Sequence, residues 1–429
     1  MSVLAINGGE KVRTKLFPAY RVIGEEEQRA VAKVLESGIL SKYLGCWADD
    51  FYGGPQVQAM EKEWAEVYGV KHAISVNSAT SALYCAVGAI GVAPGDEVIV
   101  SPYTMCASAT APLIYNAIPV FADIEYDYYC LAPEDIERKI TDRTKAIIVV
   151  DILGQPYDAD RINEIAKRHG LYVIEDNAQA PLAAYHGKYA GTLGDIGIFS
   201  LNYHKHIHCG EGGIMVTDDD GLAERMRLIR NHAEAVVGNK GVANLNNMIG
   251  FNFRMTEIEA AITREQLKKL KWLVEERRRN VRYIEENIKE IPFLSMPKVR
   301  EDCEHSYYVH ALKYDETRTG VPRERFVEAM QAELMPIELR EAEGVKISLG
   351  YAKPLYTQPL FAQKTAYGNT AYPFSEQIRY DKGICPTCER VCESETVFHE
   401  LMRPFMTKED LDDVIRAFHK VADHMDELR

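Results

Sequence analysis

The stretch FSLNYHKHIHCGEGG, residues 199–213, decides the fold because it joins two strand candidates through a loop that carries a lysine. It continues the apolar run Ile196–Ser200 and leads into a second run, Gly213–Thr217. Loops at the carboxyl ends of strands are where α/β sheets present reactive groups. Lys205 lies in such a loop, and a lysine amine condenses with an aldehyde when its surroundings favour the uncharged form. Since lysines are mostly surface residues, this interpretation needs support from other positions.

Short apolar runs bounded by turn residues recur through the first half of the chain and predict seven strands. They are His72–Val76, 97–101, 118–122, 145–150, 171–175, Ile196–Ser200 and Gly213–Thr217. Stretches with helical periodicity lie between most of them, as at 81–90, 105–115 and 158–169. Such alternation is typical of a sheet covered on both faces. The sequence therefore predicts an α/β fold with a seven-stranded, mostly parallel sheet.

The pattern changes after about residue 256, where helices predominate. A long charged helix is expected over 264–290, a strand near 307–312, a helix over Arg323–Glu333 and a final amphipathic helix near 408–427. We predict a large domain with an N-terminal arm over residues 1–265 and a smaller α+β domain over 266–429. No Pro/Gly/Ser-rich linker separates them, so the two should pack together.

Composition and charge narrow the classes of protein that this chain can belong to. The formal net charge is −14, with no basic stripe, which argues against a nucleic-acid partner. No segment approaches the roughly 20 apolar residues of a membrane span, and the opening MSVLA does not resemble a secretion signal. Nine scattered cysteines suit reduced thiols better than disulfides. We expect a cytoplasmic protein with no membrane partner.

A carboxylate follows the strand candidate that precedes the lysine loop. Asp176 ends the run YVIED and lies 29 residues before Lys205 in the sequence (205 minus 176). It could pair with a protonated pyridine nitrogen and keep that ring an effective electron sink. An aspartate after a strand also commonly caps a helix, and from this position alone neither interpretation is favoured.

Small polar residues follow the first strand candidate, in the run VNSATSA that opens an apolar helix at 76–82. Backbone amides and hydroxyls at a helix start can bind a phosphate dianion. The same residues would cap the helix with no ligand bound, which by itself is the commoner explanation. Ser200, at the end of its own strand, could add another hydroxyl.

Two clusters invite a metal interpretation. His204, His206 and His208 alternate within the lysine loop, and Cys385, Cys388 and Cys392 precede His399. The cysteine spacing is neither that of paired zinc knuckles nor that of a ferredoxin. We predict core packing for the cysteines and no metal site in either cluster.

These pieces in this order resemble the sugar aminotransferases of the DegT/StrS type, which depend on pyridoxal 5'-phosphate (PLP) and belong to aminotransferase fold type I. The resemblance extends from the GGEK opening at 8–11 to the CPTCE segment at 385–389. Its most specific part is GDIGIFS at 194–200, followed by Lys205 and GEGG at 210–213. The fragments are individually common, but their combination is specific.

The resemblance implies a role for each matching position. Lys205 matches the lysine that forms a Schiff base with PLP, Asp176 the partner of its pyridine nitrogen, and Gln179 a residue beside its ring. Ala79, Thr80 and Ser200 match the phosphate cradle. Asn252, in the segment GFNFRM, matches a residue that reaches the phosphate in the neighbouring subunit's site, which implies a homodimer with shared sites.

Three features depart from the family pattern and bear on the substrate. Met105 takes the place of an aromatic residue that stacks on the cofactor ring, so we expect a thioether to pack there. Asp151 replaces a common histidine, and the residues from Cys46 to Gly54 look like a short insertion near the substrate mouth.

The expected reaction is transfer of an amino group from glutamate or glutamine to a keto-sugar, nucleotide-linked or free, or to a keto-cyclitol. Two alternatives stay open at this point. Some relatives carry histidine in place of the lysine and act as dehydratases, and His206 adjoins Lys205. A non-catalytic regulatory protein could also keep the same fold.

Overall fold

The computed structural model describes residues 3–351 and 353–429. Its strands are β1 His72–Val76, β2 Glu97–Val100, β3 Ile118–Phe121, β4 Thr144–Val150, β5 Tyr172–Asp176, β6 Ala184–Tyr185, β7 Lys188–Tyr189, β8 Ile196–Ser200, β9 Gly213–Thr217, β10 Leu294–Ser295, β11 Cys303–Glu304, β12 His310–Tyr314, β13 Ile347–Ser348 and β14 Thr396–His399.

Helices precede the large sheet, cover it and form much of the C-terminal third. They are α1 Glu25–Ser37, α2 Pro55–Tyr68, α3 Ala79–Ala89, α4 Cys106–Thr110, α5 Pro133–Lys139, α6 Ala159–His169, α7 Asp220–Arg230, α8 Ala233–Lys240, α9 Glu257–Ile288, α10 Glu316–Thr319, α11 Arg323–Glu333, α12 Pro359–Ala362, α13 Pro386–Arg390 and α14 Lys408–Asp423.

The main sheet has seven strands in the order β1-β9-β8-β5-β4-β2-β3. Strands β3, β2, β4, β5 and β8 are parallel to one another, whereas β9 is antiparallel to both β8 and β1. All seven strand candidates are strands of this sheet, with ends shifted by no more than one residue. The prediction of a seven-stranded, mostly parallel α/β sheet is therefore confirmed.

Antiparallel strand β9 brings the GEGG motif against the start of helix α3. A Cβ atom on Gly213 would lie 2.5 Å from the carbonyl carbon of Ser78 and 2.6 Å from the amide nitrogen of Ala79. A larger residue at 213 would push β9 away from this turn, so glycine permits the close approach. The lysine loop and the start of α3 are thereby held at the same edge of the sheet.

The C-terminal third contains a second sheet, antiparallel throughout, in the order β10-β12-β14-β13. Helix α9 leads into this region and begins at a capping box, in which Thr256 Oγ1 accepts from the amide of Glu259 and Glu259 Oε2 accepts from the amide of Thr256. The smaller α+β part is confirmed, and helix α11 has the predicted bounds.

Each of two apolar cores includes residues from distant parts of the chain. Leu4 and Phe17, from the N-terminal residues, are buried with the second core of α9, α11 and α14. Tyr356, Cys385 and Cys388 are buried with the core of the large sheet. The boundary proposed at residues 265 and 266 lies inside the continuous helix α9, and the division into two domains stays a prediction.

Among the helices of residues 3–351 and 353–429, none combines the length and the apolar composition that crossing a bilayer requires.

Candidate active site

A cavity of about 380 Å³ opens at the carboxyl ends of strands β1, β2, β4, β5 and β8, where α/β sheets generally bind ligands. Its lining combines apolar, polar, charged and aromatic residues. The residues are Ser78, Ala79, Thr80, Leu83, Thr104, Met105, Ala107, Val150, Asp176, Ala178, Gln179, Ser200, Asn202, His204, Lys205, Glu211, Gly212, Tyr308 and Tyr351.

The cavity gathers nearly all of the residues that the sequence singled out. Its lining includes Lys205, Asp176, Gln179, Met105 and the three cradle residues Ala79, Thr80 and Ser200. Asn252 lies outside it and is exposed, with its backbone bridged to Asn231. The role of Asn252 in a neighbouring subunit's site stays a prediction.

Asp176 is the last residue of β5 and is 5% exposed. Its Oδ2 accepts a hydrogen bond of 2.7 Å from Ser108 Oγ, and its Oδ1 accepts one of 3.2 Å from the amide of Ala178. Burial raises the pKa of this carboxyl above its ordinary value, while the bond from Ser108 and the nearby charge of Lys205 act in the opposite direction. A cation bound beside Asp176 would therefore favour its ionised form.

Lys205 extends from the loop after β8 with its Nζ 4.4 Å from the centre of the Tyr308 ring. That contact has cation–π geometry. The backbone of the loop is fixed at this point, because the amide of Lys205 donates to the carbonyl of Asn202 at 2.9 Å. The amine is half-buried and faces the cavity, as a nucleophile in this fold must.

The start of helix α3 has the donors that a phosphate group needs. Ser78 caps the helix by accepting a hydrogen bond of 3.1 Å from the amide of Ser81. Ala79 and Thr80 are the first helical residues, so their amides have no acceptor within the helix. With the hydroxyls of Thr80 and Ser200 they surround one end of the cavity. The capping and phosphate-binding interpretations of this run are therefore compatible. Ser78 caps the helix, and the amides of Ala79 and Thr80 can donate to an anion.

This donor set fits PLP. The phosphate would be held by the amides and hydroxyls at the start of α3 and at Ser200, and the pyridine nitrogen would face Asp176. Gly213 permits strand β9 to approach this cradle closely. Lys205 lines the same cavity and would condense with the aldehyde of PLP.

Gln179 is held at both ends of its amide. Its Oε1 accepts from the amide of Leu153 at 2.8 Å, and its Nε2 donates to Tyr351 Oη at 3.0 Å. Tyr351 packs edge-on against Tyr103, with ring centres 5.3 Å apart. The amide group of Gln179 therefore cannot rotate freely beside the site.

Met105 lies at the mouth of the cavity and is 60% exposed. It directly precedes helix α4, which carries Ser108 to Asp176. A thioether at this place is available to pack on a bound ring, and that role stays a prediction.

The three alternating histidines make different contacts. His204 lines the cavity, whereas His206 is buried and its Nε2 donates to the carbonyl of Ser306 at 3.0 Å. Burial lowers the pKa of His206 well below its ordinary value. The backbone amide of His208 donates to Gln266. Within the described ranges, no group of three His, Cys, Asp or Glu side chains is arranged to hold a metal ion.

The two other departures from the family pattern lie outside the cavity. Asp151 is fully buried, and burial together with the charge of Glu175 raises its pKa well above the ordinary value. The insertion near Cys46 is anchored by Asn231, whose Nδ2 donates to the carbonyls of Leu44 and Phe51. In this chain the insertion lies beside Asn231 and Arg254, and its place near a substrate mouth stays a prediction.

The sequence analysis missed several residues of the site. Ser108, Asn202, His204, Tyr308 and Tyr351 were not assigned to it. The first three are near recognised motifs and could have been found from their spacing. Tyr308 and Tyr351 come from distant parts of the chain, and no local pattern indicates where they lie.

Comparison with known proteins agrees with the geometry. The sequence profile of the DegT/DnrJ/EryC1/StrS aminotransferase family matches residues 21–418. The spore coat polysaccharide biosynthesis protein SpsC of Bacillus subtilis is 33% identical over 407 residues, which cover 94% of this chain and 95% of that protein. L-glutamine:2-deoxy-scyllo-inosose aminotransferase of Streptoalloteichus tenebrarius is 32% identical over 99% of each chain.

Solved structures show the same relationship. DesV of S. venezuelae, in complex with a ketimine intermediate, superposes with a TM-score of 0.78 at 27% identity, covering 96% of this chain and 100% of that one. Enzymes of this family use PLP to transfer amino groups, which confirms the cofactor and the class of enzyme expected from the sequence. The chain is therefore a PLP-dependent aminotransferase and belongs to the DegT/DnrJ/EryC1/StrS aminotransferase family.

Proposed function

We propose that this enzyme transfers an amino group from glutamine or glutamate to a keto-sugar or keto-cyclitol, in the biosynthesis of amino sugars or aminocyclitols. The observation that carries the proposal is the cavity that brings Lys205, Asp176 and the start of helix α3 together at the carboxyl edge of the sheet. Each of these three features has an alternative explanation on its own, but a shared cavity is expected only if they bind one ligand.

Bound PLP supplies an aldehyde that condenses with amines and a ring that withdraws electrons from the adjacent carbon. Lys205 would hold the cofactor through its Nζ, and the same amine, when free, would take the proton from the Cα of the amino donor. The same amine returns a proton in the second half of the reaction. The cation–π contact with Tyr308 stabilises Lys205 Nζ while it carries that proton.

Asp176 would support this chemistry at the pyridine nitrogen of the cofactor. Its carboxylate, oriented by Ser108 and Ala178, would keep a proton on that nitrogen and so maintain electron withdrawal. The amides of Ala79 and Thr80 and the hydroxyls of Thr80 and Ser200 would anchor the phosphate. Gln179 and Met105 would pack beside the ring.

The choice of acceptor rests on relatives and on the lining of the cavity. Two L-glutamine:2-deoxy-scyllo-inosose aminotransferases are 32% and 31% identical to this chain over 99% of its length. Hydroxyl and amide side chains from Thr104, Asn202 and Tyr308 are suited to a ligand that carries several hydroxyl groups. A keto-sugar, nucleotide-linked or free, and a keto-cyclitol both meet this description.

The dehydratase alternative depends on His206 as the base. His206 is buried behind Tyr308, and its Nε2 donates to a backbone carbonyl instead of facing the cavity. Lys205, by contrast, lines the cavity. The geometry therefore favours amino transfer.

We further propose that two copies of the chain share their sites and that the enzyme works in the cytoplasm. Exposed Asn252 is the residue expected to reach the neighbouring copy's phosphate cradle. The nine cysteines are all free thiols, which suits a reducing compartment.

The proposal is tested by loading the purified enzyme with the amino group of glutamine or glutamate and then adding keto-cyclitols and keto-sugars. Formation of an aminated product with ping-pong kinetics is expected for at least one of them. Consumption of the second substrate without any need for an amino donor would instead establish elimination chemistry and refute the proposal.

A further inference from the structure

His204 links the cavity to a charged cluster in the C-terminal third of the chain. It lines the cavity beside Lys205, and the Tyr203 ring lies over it with centres 3.7 Å apart. On the other side, Arg340 Nη2 lies 2.7 Å from His204 Nδ1. Neither residue is needed by the mechanism described above.

The contact with Arg340 decides which ring nitrogen carries the proton. A guanidinium group has only N–H donors and stays charged in proteins, so Nδ1 of His204 must accept the hydrogen bond. An imidazole that accepts at Nδ1 is neutral and carries its proton on Nε2. His204 is therefore fixed as an Nε2–H donor, and that donor belongs to a residue of the cavity wall.

Arg340 is itself held in place. Its Nε donates to Glu343 Oε1 at 2.7 Å, its Nη1 lies 3.7 Å from Glu400, and its side chain is only 11% exposed. This anchoring fixes the guanidinium against His204, so a rotation of the imidazole would break a short, charge-assisted hydrogen bond.

Most of the charges around His204 lower its pKa. Partial burial and the positive charges of Arg340, Lys346 and Arg403 lower its pKa to about 4, although Glu343 opposes them. The imidazole is consequently neutral across the physiological range of pH. A cationic histidine would attract any anion, whereas this one offers a single directed N–H group.

We infer that His204 binds substrate by donating its Nε2–H to an oxygen atom of the molecule held over Lys205, and that Arg340 is the positioning residue that fixes this tautomer. The inference rests on the proposed function, since it assigns a contact to the substrates of the same site. The oxygen can come from a carboxylate of the amino donor or from a hydroxyl of the keto acceptor. Either oxygen would accept from the same N–H group. The amino donor binds in the first half-reaction and the keto acceptor in the second, so the two contacts can be measured separately.

The first test compares His204→Phe with His204→Gln. Phenylalanine removes the donor, whereas the amide nitrogen of glutamine reaches a position close to Nε2. Equilibrium binding to the PLP-loaded enzyme is measured with glutarate as an unreactive stand-in for the donor and myo-inositol as one for the acceptor. We expect His204→Phe to weaken one of the two about five- to tenfold and His204→Gln to restore most of it.

Weakening of glutarate assigns the contact to the donor carboxylate, and weakening of myo-inositol assigns it to the acceptor. If both ligands bind His204→Phe within twofold of the wild type, the inference is wrong. The cofactor absorbance of the variant should be unchanged, which excludes a general collapse of the site. Because these ligands do not react, the result does not depend on whether the proposed turnover is found.

The second test concerns Arg340 and uses pH. In the wild type, binding of the affected ligand should not change with pH between about 5.5 and 8, because His204 stays neutral. In Arg340→Gln, loss of the guanidinium charge should raise the pKa of His204, while burial still holds that pKa below its ordinary value, so binding should begin to change at a higher pH than in the wild type. The double variant His204→Gln/Arg340→Gln should lose this dependence. If the acid side of the binding profile falls at the same pH in Arg340→Gln as in the wild type, the role given to Arg340 is wrong.

Discussion

Two segments of this chain are rich in reactive side chains, and the fold treats them in opposite ways. The lysine loop, residues 201–212, lies at the carboxyl edge of the large sheet and opens into the cavity. The cysteine segment, residues 385–392, is packed under the same sheet, and the thiols of Cys385, Cys388 and Cys392 are fully buried. Residue type alone does not make a site; open space at a strand end, together with converging polar groups, distinguishes the two.

The environments of the two segments explain the difference. In the cysteine segment, burial raises the pKa of the Cys385 and Cys388 thiols, so the nucleophilic thiolate is disfavoured. The amides of Thr387 and Cys388 donate to Asp123, which ties helix α13 to the sheet. In the lysine loop, the amine of Lys205 faces a cavity and is stabilised by an aromatic ring. The first segment therefore contributes to stability and the second to chemistry.

The largest effect is expected from removing the amine of the lysine loop. Lys205→Ala should lower kcat by about 10²- to 10⁴-fold, because both the attachment of PLP and the proton carrier are lost. Lys188→Ala, on the exposed strand β7, is the matched control and should leave kcat unchanged. Steady-state kinetics with the identified substrates measure both variants. Comparable losses in the two lysine variants would refute a special role for the loop.

A smaller effect is expected from Ser108→Ala, which removes the 2.7 Å hydrogen bond to Asp176. That bond lowers the pKa of Asp176 against the raising effect of burial, so its loss should raise the pKa further. The carboxylate then protonates at higher pH, and activity should fall about tenfold on the acid side of the pH profile. Thr110→Val on the same helix is the control. An unshifted acid limb in Ser108→Ala would show that Asp176 does not govern it.

Tyr351→Phe should have a still smaller effect. It removes the hydroxyl that accepts from Gln179 Nε2 at 3.0 Å while keeping the ring against Tyr103. We expect kcat to fall about fivefold, since Gln179 loses one of its two anchors. Tyr367→Phe, whose hydroxyl donates to the carbonyl of Leu113 away from the cavity, is the control. Equal changes in both variants would assign the effect to stability.

The cysteine segment should give the smallest effect on activity. Cys392→Ala removes a buried thiol that lies 3.9 Å from that of Cys388. The free energy of unfolding should fall by about 1–2 kcal/mol, because a small cavity forms, while kcat stays within twofold of the wild type. Denaturant unfolding and kinetics measure the two quantities. Tightly bound zinc in the wild type, lost in the variant, would contradict the assignment to the core.

The sequence predicted the parts of the molecule that depend on neighbouring residues. Strands β1 to β5, β8 and β9 are apolar runs bounded by turn residues, so periodicity found all of them within one residue. Asp176 and Ser200 end their strands, Thr80 and Lys205 lie a few residues after theirs, and parallel strands bring their carboxyl ends to one edge. The placement of these residues in one cavity was thus already implied by the topology.

The features that could not be predicted from the sequence depend on contacts between distant parts of the chain. Tyr351 reaches Gln179 across 172 residues, and Arg340 reaches His204 across 136. The two-residue strands β6, β7, β10, β11 and β13 are too short to show a period. The anchoring of the Cys46 insertion is of the same kind, because Asn231 donates to the carbonyl of Leu44 from 187 residues away.

The most direct test of the account is to find which side chain holds the cofactor. The PLP-loaded enzyme is reduced with borohydride, digested and mapped by mass spectrometry. We predict a pyridoxyl group on Lys205, and none on the exposed Lys188 or in the peptide that contains residues 385–392. Labelling of a different lysine, or of no lysine at all, would contradict the assignment of the lysine loop as the catalytic segment.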